Sequence, residues 1–325
     1  MLRNLLGCAV ASVASIAAVS AACAADVYPS KVVRIVVPFA AGGSTDLLAR
    51  NIAQRLTEAW KQSVVVENRP GAGSIIGTES VAKSAPDGYT ILMCSVTHSY
   101  AEALYPKLSY NVLRDFTAVS GLATIPQLLS VHPSIPAKSV KELVALAKAR
   151  PGELAYGTAG PGSASHLAME LFQSMSKTKL NHVPYKGSGP ALVDLLGGHL
   201  SMMFDVVMTT LPHMQTGKVR PLASSAPERS KIVANIPTIS ESGYPGYDAI
   251  VWFGLLAPTG TPADIVRKVS EDAARVMRAP KMQETLNAQG LDIVGSSPAE
   301  FSKYLTAEVA KWRKVIGDAG IKLNP

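Results

Sequence analysis

Two stretches of this chain concentrate the residue types that hold an anion. One is Phe39-Ala40-Ala41-Gly42-Gly43-Ser44-Thr45-Asp46. The other is Gly157-Thr158-Ala159-Gly160-Pro161-Gly162-Ser163-Ala164-Ser165-His166, about 120 residues later. Each follows a β-like run and precedes an amphipathic one. Such a turn presents bare backbone N–H groups beside the positive end of a helix dipole, a ready place for an anion. Gly42 and Gly43 let the backbone come close and take unusual dihedrals. Ser44, Thr45 and Ser163 can cap a helix or turn a hydroxyl to a ligand. Asp46 is a first-turn acid whose plain role is to satisfy N–H groups. Either loop alone reads as well as an ordinary capped turn. Two on one plan, one in each half of the chain, point to a shared, two-sided site.

Other chemistries lack their residues. There is no G-x-x-x-x-G-K-[ST] and no G-x-G-x-x-G; Gly71-Ala72-Gly73 has its third glycine, Gly77, one position late. No G-x-S-x-G nucleophile elbow occurs, and Ser163 and His166 lie on one helix start, the wrong geometry for a triad. The six histidines are scattered without H-E-x-x-H, so no metal site is expected. His166 reads as a locally satisfied helix-face residue and Cys94 as a small buried hydrophobe. Asp205 ends the run Met202-Met203-Phe204, where open α/β sheets bind ligands. It could hold a ligand amine, orient a water or cap the next turn. Lys186, after another strand, reads as solvated.

The elements that must position these loops alternate between periods of two and 3.6. Strands are expected at 32–37, 64–67, 90–94, 116–122, 128–131, 154–157, 181–184, 202–205 and 221–225. Helices are expected at 45–60, 75–84, 140–149, 163–176, 189–197, 210–216, 263–278 and 298–319. In the first helix Leu47, Leu48, Ile52, Leu56 and Ala59 are read as one face. The stretch from 226 to 262 reads as Pro/Gly-rich connection. This is α/β grammar with a mostly parallel sheet.

Arg3 is the one charge among the first 25 residues, an apolar run follows, and Ala22-Cys23-Ala24 is an A-x-A site. Residues 1–25 are therefore expected to be a cleavable secretory signal. Without Arg3, 30 basic residues face 24 acidic ones, a net of +6. The basic residues are dispersed and no aromatic is interleaved with them, so a nucleic-acid partner is not expected. Cys8 and Cys23 leave with the signal, and Cys94 alone cannot form an intrachain disulfide. The exported remainder, roughly 300 residues, suggests two domains held by their cores.

At this length the motifs resemble one family. They are PFAAGGSTDLLAR (38–50), VENRPGAGSIIGTESVAKSAPDGYTIL (66–92), YGTAGPGSASHLAMELF (156–172), HVPYKGSGPALVDLLGGHLSMMFD (182–205) and WFGLLAPTGTP (252–262). Together they are similar to the Bug family, the extracytoplasmic solute receptors of tripartite tricarboxylate transporters. The resemblance implies an α/β periplasmic binding protein-like fold of type II, two lobes closing on a ligand cleft. It implies lobe 1 from 26–122 and 224–325, and lobe 2 from 123–223. It also implies a small carboxylate ligand held by N–H groups and hydroxyls of both small-residue loops. Carried over, Phe39, Gly43, Ser44, Thr45 and Asp46 line one side, and Thr158, Ser163, Ala164 and Ser165 the other. Ser95 and Thr97 form a third wall, and Asp205 stands at the cleft. Where relatives carry polar residues after that Asp, this chain has Val206-Val207-Met208-Thr209. An apolar or aromatic far end of the ligand is the expectation from that departure.

The resulting expectation is a monomeric periplasmic receptor that delivers a carboxylate to a membrane transporter, without cofactor or metal and without catalysis. Two rivals stand beside it: a sensor signalling to a membrane partner, and a secreted enzyme acting on an organic acid.

Overall fold

The computed structural model describes residues 28–105 and 107–321; the expected signal, with Cys8 and Cys23, lies outside the described residues. The chain runs β1 (Val33–Val37), α1 (Ser44–Trp60), β2 (Val64–Asn68), α2 (Ile75–Ala82), β3 (Thr90–Ser95), α3 (Thr97–Leu104), β4 (Phe116–Ile125), β5 (Gln127–Val131) and α4 (Val140–Ala149). It continues through β6 (Ala155–Thr158), α5 (Ala164–Ser176), β7 (Asn181–Pro184), α6 (Ser188–Leu196), β8 (Met202–Val206), α7 (Val207–Gln215) and β9 (Arg220–Ser224). It closes with β10 (Val251–Pro258), α8 (Ala263–Met277), α9 (Pro280–Ala288), β11 (Asp292–Ile293) and α10 (Pro298–Ala319).

These strands form two sheets, ordered β11-β4-β10-β3-β1-β2 and β7-β6-β8-β5-β9. Both are mixed. In the first, β1 pairs in parallel with β2 and β3, whereas β10 runs antiparallel to β3 and β4. In the second, β6 is parallel to β7 and β8, and β5 is antiparallel to β8 and β9. The expected mostly parallel sheet is thus corrected, chiefly by β10. Val251-Trp252-Phe253-Gly254-Leu255-Leu256-Ala257-Pro258 is buried along its whole length. A strand covered on both faces shows no alternation, and this one merges into the Pro/Gly segment after it, so periodicity does not reveal it. Gly254 is required there: a Cβ would lie 2.3 Å from the Phe301 ring.

The chain passes between the sheets twice. Ile125 ends β4 in the first sheet, and Gln127 begins β5 in the second, across Pro126. The return runs from Ser224 to Val251, which pairs with Ile125. The crossings are tied together: Gln127 N–H donates to Ser225 Oγ at 2.9 Å, Ser225 N–H to Gln127 O at 2.8 Å, and Gln127 Nε2 to Ala249 O at 3.2 Å. Before it returns, the connection packs on the second half. Tyr247 stacks on Phe204 and donates to Ala168 O, and Tyr244 meets Phe172 edge-on.

Helix faces follow the 3.6 repeat. In α1 the buried stripe is Leu48, Ala49, Ile52, Ala53 and Leu56; Leu47 and Ala59 face out, correcting the expected face at two positions. α10 begins with a capping box, Ser297 and Glu300, with Pro298 at its first position. Its Trp312 meets Tyr100 of α3 edge-on, and its buried Glu308 accepts from the indoles of Trp252 and Trp312. Among the described residues no helix is long and apolar enough to cross a membrane.

Candidate functional site

The β1–α1 loop is held by one carboxylate. Asp46, 2% exposed, accepts from Gly42 N–H at 2.8 Å, Arg50 Nε at 3.0 Å and Asn68 Nδ2 at 2.9 Å. Burial pushes its pKa up, but the Arg50 guanidinium, the Gly42 N–H and the Asn68 amide outweigh that and hold the carboxyl below its usual range. Asn68 also donates to Phe39 O at 3.1 Å. Gly42 sits at φ +89°, where a side chain would be strained. Gly43 is the N-cap of α1, and no side chain caps this helix. The first N–H groups of α1, at Ser44 and Thr45, have no intrahelical acceptor.

A histidine braces the adjoining wall. His98 is fully buried; its Nδ1 lies 3.1 Å from Ser95 N, and its Nε2 3.0 Å from Thr78 Oγ1. Thr78 in turn donates to Ser74 O at 2.8 Å, and His98 Nδ1 also lies 3.1 Å from Ser95 O. Burial lowers the His98 pKa to about 4, keeping the ring neutral. Phe39 meets its edge at 6.2 Å. Ser95 Oγ and Thr97 Oγ1 are bonded to each other at 3.0 Å.

The β6–α5 loop pairs four of its N–H groups with its own side chains, while Ala164 and Ser165, the first residues of α5, have no intrahelical acceptor. Ala159 N–H donates to Ser165 Oγ (3.0 Å), Gly160 N–H to Thr158 Oγ1 (3.2 Å), Gly162 N–H to His166 Nδ1 (3.1 Å) and His166 N–H to Ser163 Oγ (3.3 Å). Ser163 is thereby a true N-cap. His166 stacks on His182 at 4.2 Å, and His182 on Tyr156 at 4.9 Å. Burial lowers both histidines to about 4, with the neighbouring His166 a further cause for His182.

Loops from both sheets meet at a cavity of about 300 Å³. The first half contributes Pro38, Phe39, Ala40, Ser74, Thr97 and Tyr100 among others; the second contributes Pro161, Gly162 and Ser163. Among the described residues no Lys, Arg, Asp or Glu lines it. Of the twelve residues expected at the site, Phe39, Thr97 and Ser163 line this cavity directly. Gly43, Ser44 and Thr45 at the start of α1, and Ala164 at the start of α5, are not among its lining residues. Asp46, Thr158 and Ser165 turn their side chains into their own loops, and Ser95 into its bond with Thr97.

Asp205 caps a turn. It accepts from Val206 N–H at 2.9 Å and Thr209 Oγ1 at 2.6 Å; burial raises its pKa against these bonds and one from Ser188. The following residues do not line the cavity. Val207 is buried, and Val206 and Met208 pack against the main core. The basis for expecting an apolar far end of the ligand is therefore absent. Sequence reading also missed Ser74, Tyr100 and Tyr105, because α3 is short and the Gly71–Ser74 turn was weighed only as a nucleotide loop.

A larger recess, about 590 Å³, lies against β4, β10 and α10 and contains none of the expected residues. Its charged groups are engaged elsewhere: Asp248 with Lys311, Glu300 in the α10 cap and Arg278 on Gly295 O. The smaller cavity, by contrast, is lined from both halves. Among the described residues no cluster of His, Cys, Asp or Glu could hold a metal ion.

The chain matches the model described as Tripartite tricarboxylate transporter family receptor over residues 48–321. It is 39% identical over 302 residues to Protein BugT of Bordetella pertussis, spanning 92% of this chain and 93% of BugT. Among solved structures it is similar to R. palustris Rpa4515 with adipate, with a TM-score of 0.79 and 39% identity over 91% of this chain and all of that one. MatC (Rpa3494) from Rhodopseudomonas palustris with bound malate gives a TM-score of 0.76 and 33% identity over 89% of this chain and all of that one. Two mixed α/β sheets joined by a double crossing, with a cavity between their loops, fit these periplasmic binding protein relatives, and the chain belongs to the tripartite tricarboxylate transporter receptor family.

Proposed function

We propose that this protein captures a small organic carboxylate in the cavity between its two sheets and hands it to membrane subunits of a tripartite tricarboxylate-type transporter. One observation carries the proposal: the cavity is lined from both halves, and the loop that lends it Phe39 and Ala40 leads into a helix start that no side chain caps. A carboxylate there takes the open N–H groups of Ser44 and Thr45, with the hydroxyls of Thr97 and Ser163 beside it. Phe39 covers it from the side. Asp46, Thr158, Ser165 and Asp205 act as braces behind the contacts. The solved relatives with adipate and malate support this ligand class.

The lobes are taken to divide at Ile125–Gln127, later than the expected boundary after Leu122 because β4 runs on to Ile125 in the first sheet, and between Ser224 and Val251, where the paired crossings serve as a hinge. Closure is driven by contacts made to both lobes at once, which exist only in the closed state. The protein is read as a periplasmic monomer that turns nothing over, uses no cofactor and binds no nucleic acid. In keeping with that, the ring of His166 accepts from Gly162 N–H and does not engage the Ser163 hydroxyl.

Titration calorimetry with adipate and malate, paired with small-angle scattering, tests the reading. Saturable binding of one acid with a fall in radius of gyration is expected. Binding without compaction removes the closure model; failure of all small mono- and dicarboxylates to bind removes the receptor function.

A further inference from the structure

We propose that Ser74 and Tyr100 set specificity at the closed end of this cavity by bonding an acceptor oxygen at the far end of the ligand, an inference that rests on the carboxylate reading above. Ser74 follows a turn in which Gly71, Ala72, Gly73 and Ser74 all have positive φ, at +137°, +45°, +64° and +87°. For Ser74 this left-handed backbone is sterically unfavourable, and glycine would take it without strain. Ser74 is also the N-cap of α2, yet its side chain makes no cap bond. Its hydroxyl is buried and has no partner among the described residues. Three local preferences are set aside at one residue, and that residue lines the cavity. Strain held at a ligand clamp is where function is to be sought.

Tyr100 is a second, independent case. It lines the same cavity, is 2% exposed, and its hydroxyl is likewise without a partner among the described residues. A buried hydroxyl left unpaired is destabilising, so a bond formed on binding recovers that loss. The burial gradient places this pair at the deep end. Ser74, Tyr100, Ala101 and Leu104 are buried, whereas Ala40, Pro70 and Pro161 are exposed. Among the described residues no cation lines the cavity to neutralise a second charge. The chemistry offered is two O–H donors beside apolar walls, which suits a carbonyl, carboxamide or carboxylate oxygen and disfavours a bare alkyl or aryl end.

The test is calorimetry with two length-matched series: adipate, adipamate and hexanoate, then succinate, succinamate and butanoate. The wild type is expected to bind an oxygen-ended member at least roughly tenfold tighter than the alkyl acid of equal length. Adipamate or succinamate matching the diacid identifies a neutral oxygen as sufficient; the diacid alone binding tightly identifies the carboxylate. Ser74→Ala and Tyr100→Phe should each shrink that ratio by about threefold to tenfold, with the alkyl acid little changed. Ser74→Gly should shrink it equally and also raise the unliganded Tm, separating the bond from the strain. A ratio unmoved by all three variants, or an alkyl acid binding tightest to the wild type, overturns this proposal and leaves the receptor reading intact. If no acid of either series binds the wild type, the carboxylate reading falls and takes this one with it.

Discussion

The β1–α1 and β6–α5 loops share a plan and differ in what they do with their N–H groups. In the second, the N–H groups of Ala159, Gly160, Gly162 and His166 each meet a side chain of the same loop. In the first, Asp46 takes Gly42 N–H and α1 starts without a cap. Like sequences thus give one loop closed by a side-chain cap and one left open by its absence. The residue at the N-cap decides it: Ser163 in one, Gly43 in the other. The open loop can supply the donors an anion needs. The closed loop supplies a stiff surface to shut against it.

The largest way to break this contrast is Asp46→Ala. It strands Arg50, Asn68 and Gly42 N–H, so a loss of about 2–3 kcal/mol in denaturant unfolding is expected, with ligand affinity falling sharply. Affinity lost with stability intact would mean that Asp46 touches the ligand and is no brace. Next is Gly43→Asp. The position has an ordinary φ of −77°, and the nearest atom to an added Cβ is 3.9 Å away, so the variant should fold. Its carboxylate would cap α1 in place of the ligand, gaining a few tenths of a kcal/mol of stability and weakening carboxylate binding roughly a hundredfold by like-charge repulsion. Unchanged binding would move the anion away from this helix start.

A smaller effect sharpens the comparison through pH. His98, His166 and His182 are each lowered from 6.5 to about 4 by burial. Between those values the unfolded chain binds protons that the folded state excludes. Stability is therefore complete above pH 6.5 and falls as pH drops toward about 4. With two of the three histidines in the second half, His166→Asn should flatten the acid limb of a urea-midpoint profile about as much as His98→Asn. A profile flat between pH 4 and 6.5 would mean that these rings take up protons equally in the folded and unfolded chain. The smallest effect is Ser165→Ala, which unpairs Ala159 N–H and should remove about 1 kcal/mol of stability while changing affinity only a few-fold.

Much of this arrangement was legible in the residues. Val140–Ala149 could be bounded to the residue, because Arg150-Pro151-Gly152 ends it; the structure adds the Ser139 cap at its start. Both anion loops announced themselves by composition. β10 did not, since a strand buried on both faces has no alternation to detect. The open and closed characters of the loops were also hidden: a hydroxyl beside a helix start can cap or bind, and only the placed acceptors decide. Ser74 was missed for a related reason. Nothing in Gly71-Ala72-Gly73-Ser74 shows that the left-handed backbone continues past the last glycine.

The order of strands in the first sheet has a consequence for how the chain is made. β5 to β9 occupy one unbroken run, 127–224, so the second sheet is complete as soon as that run is available. The first sheet is not. β10 lies between β3 and β4, and until residue 258 has emerged those two strands have no common neighbour. The half that carries the open loop is thus the last to assemble during N-to-C synthesis, with two sheet edges bare in the interval. A chain built this way benefits from being held unfolded until it is whole.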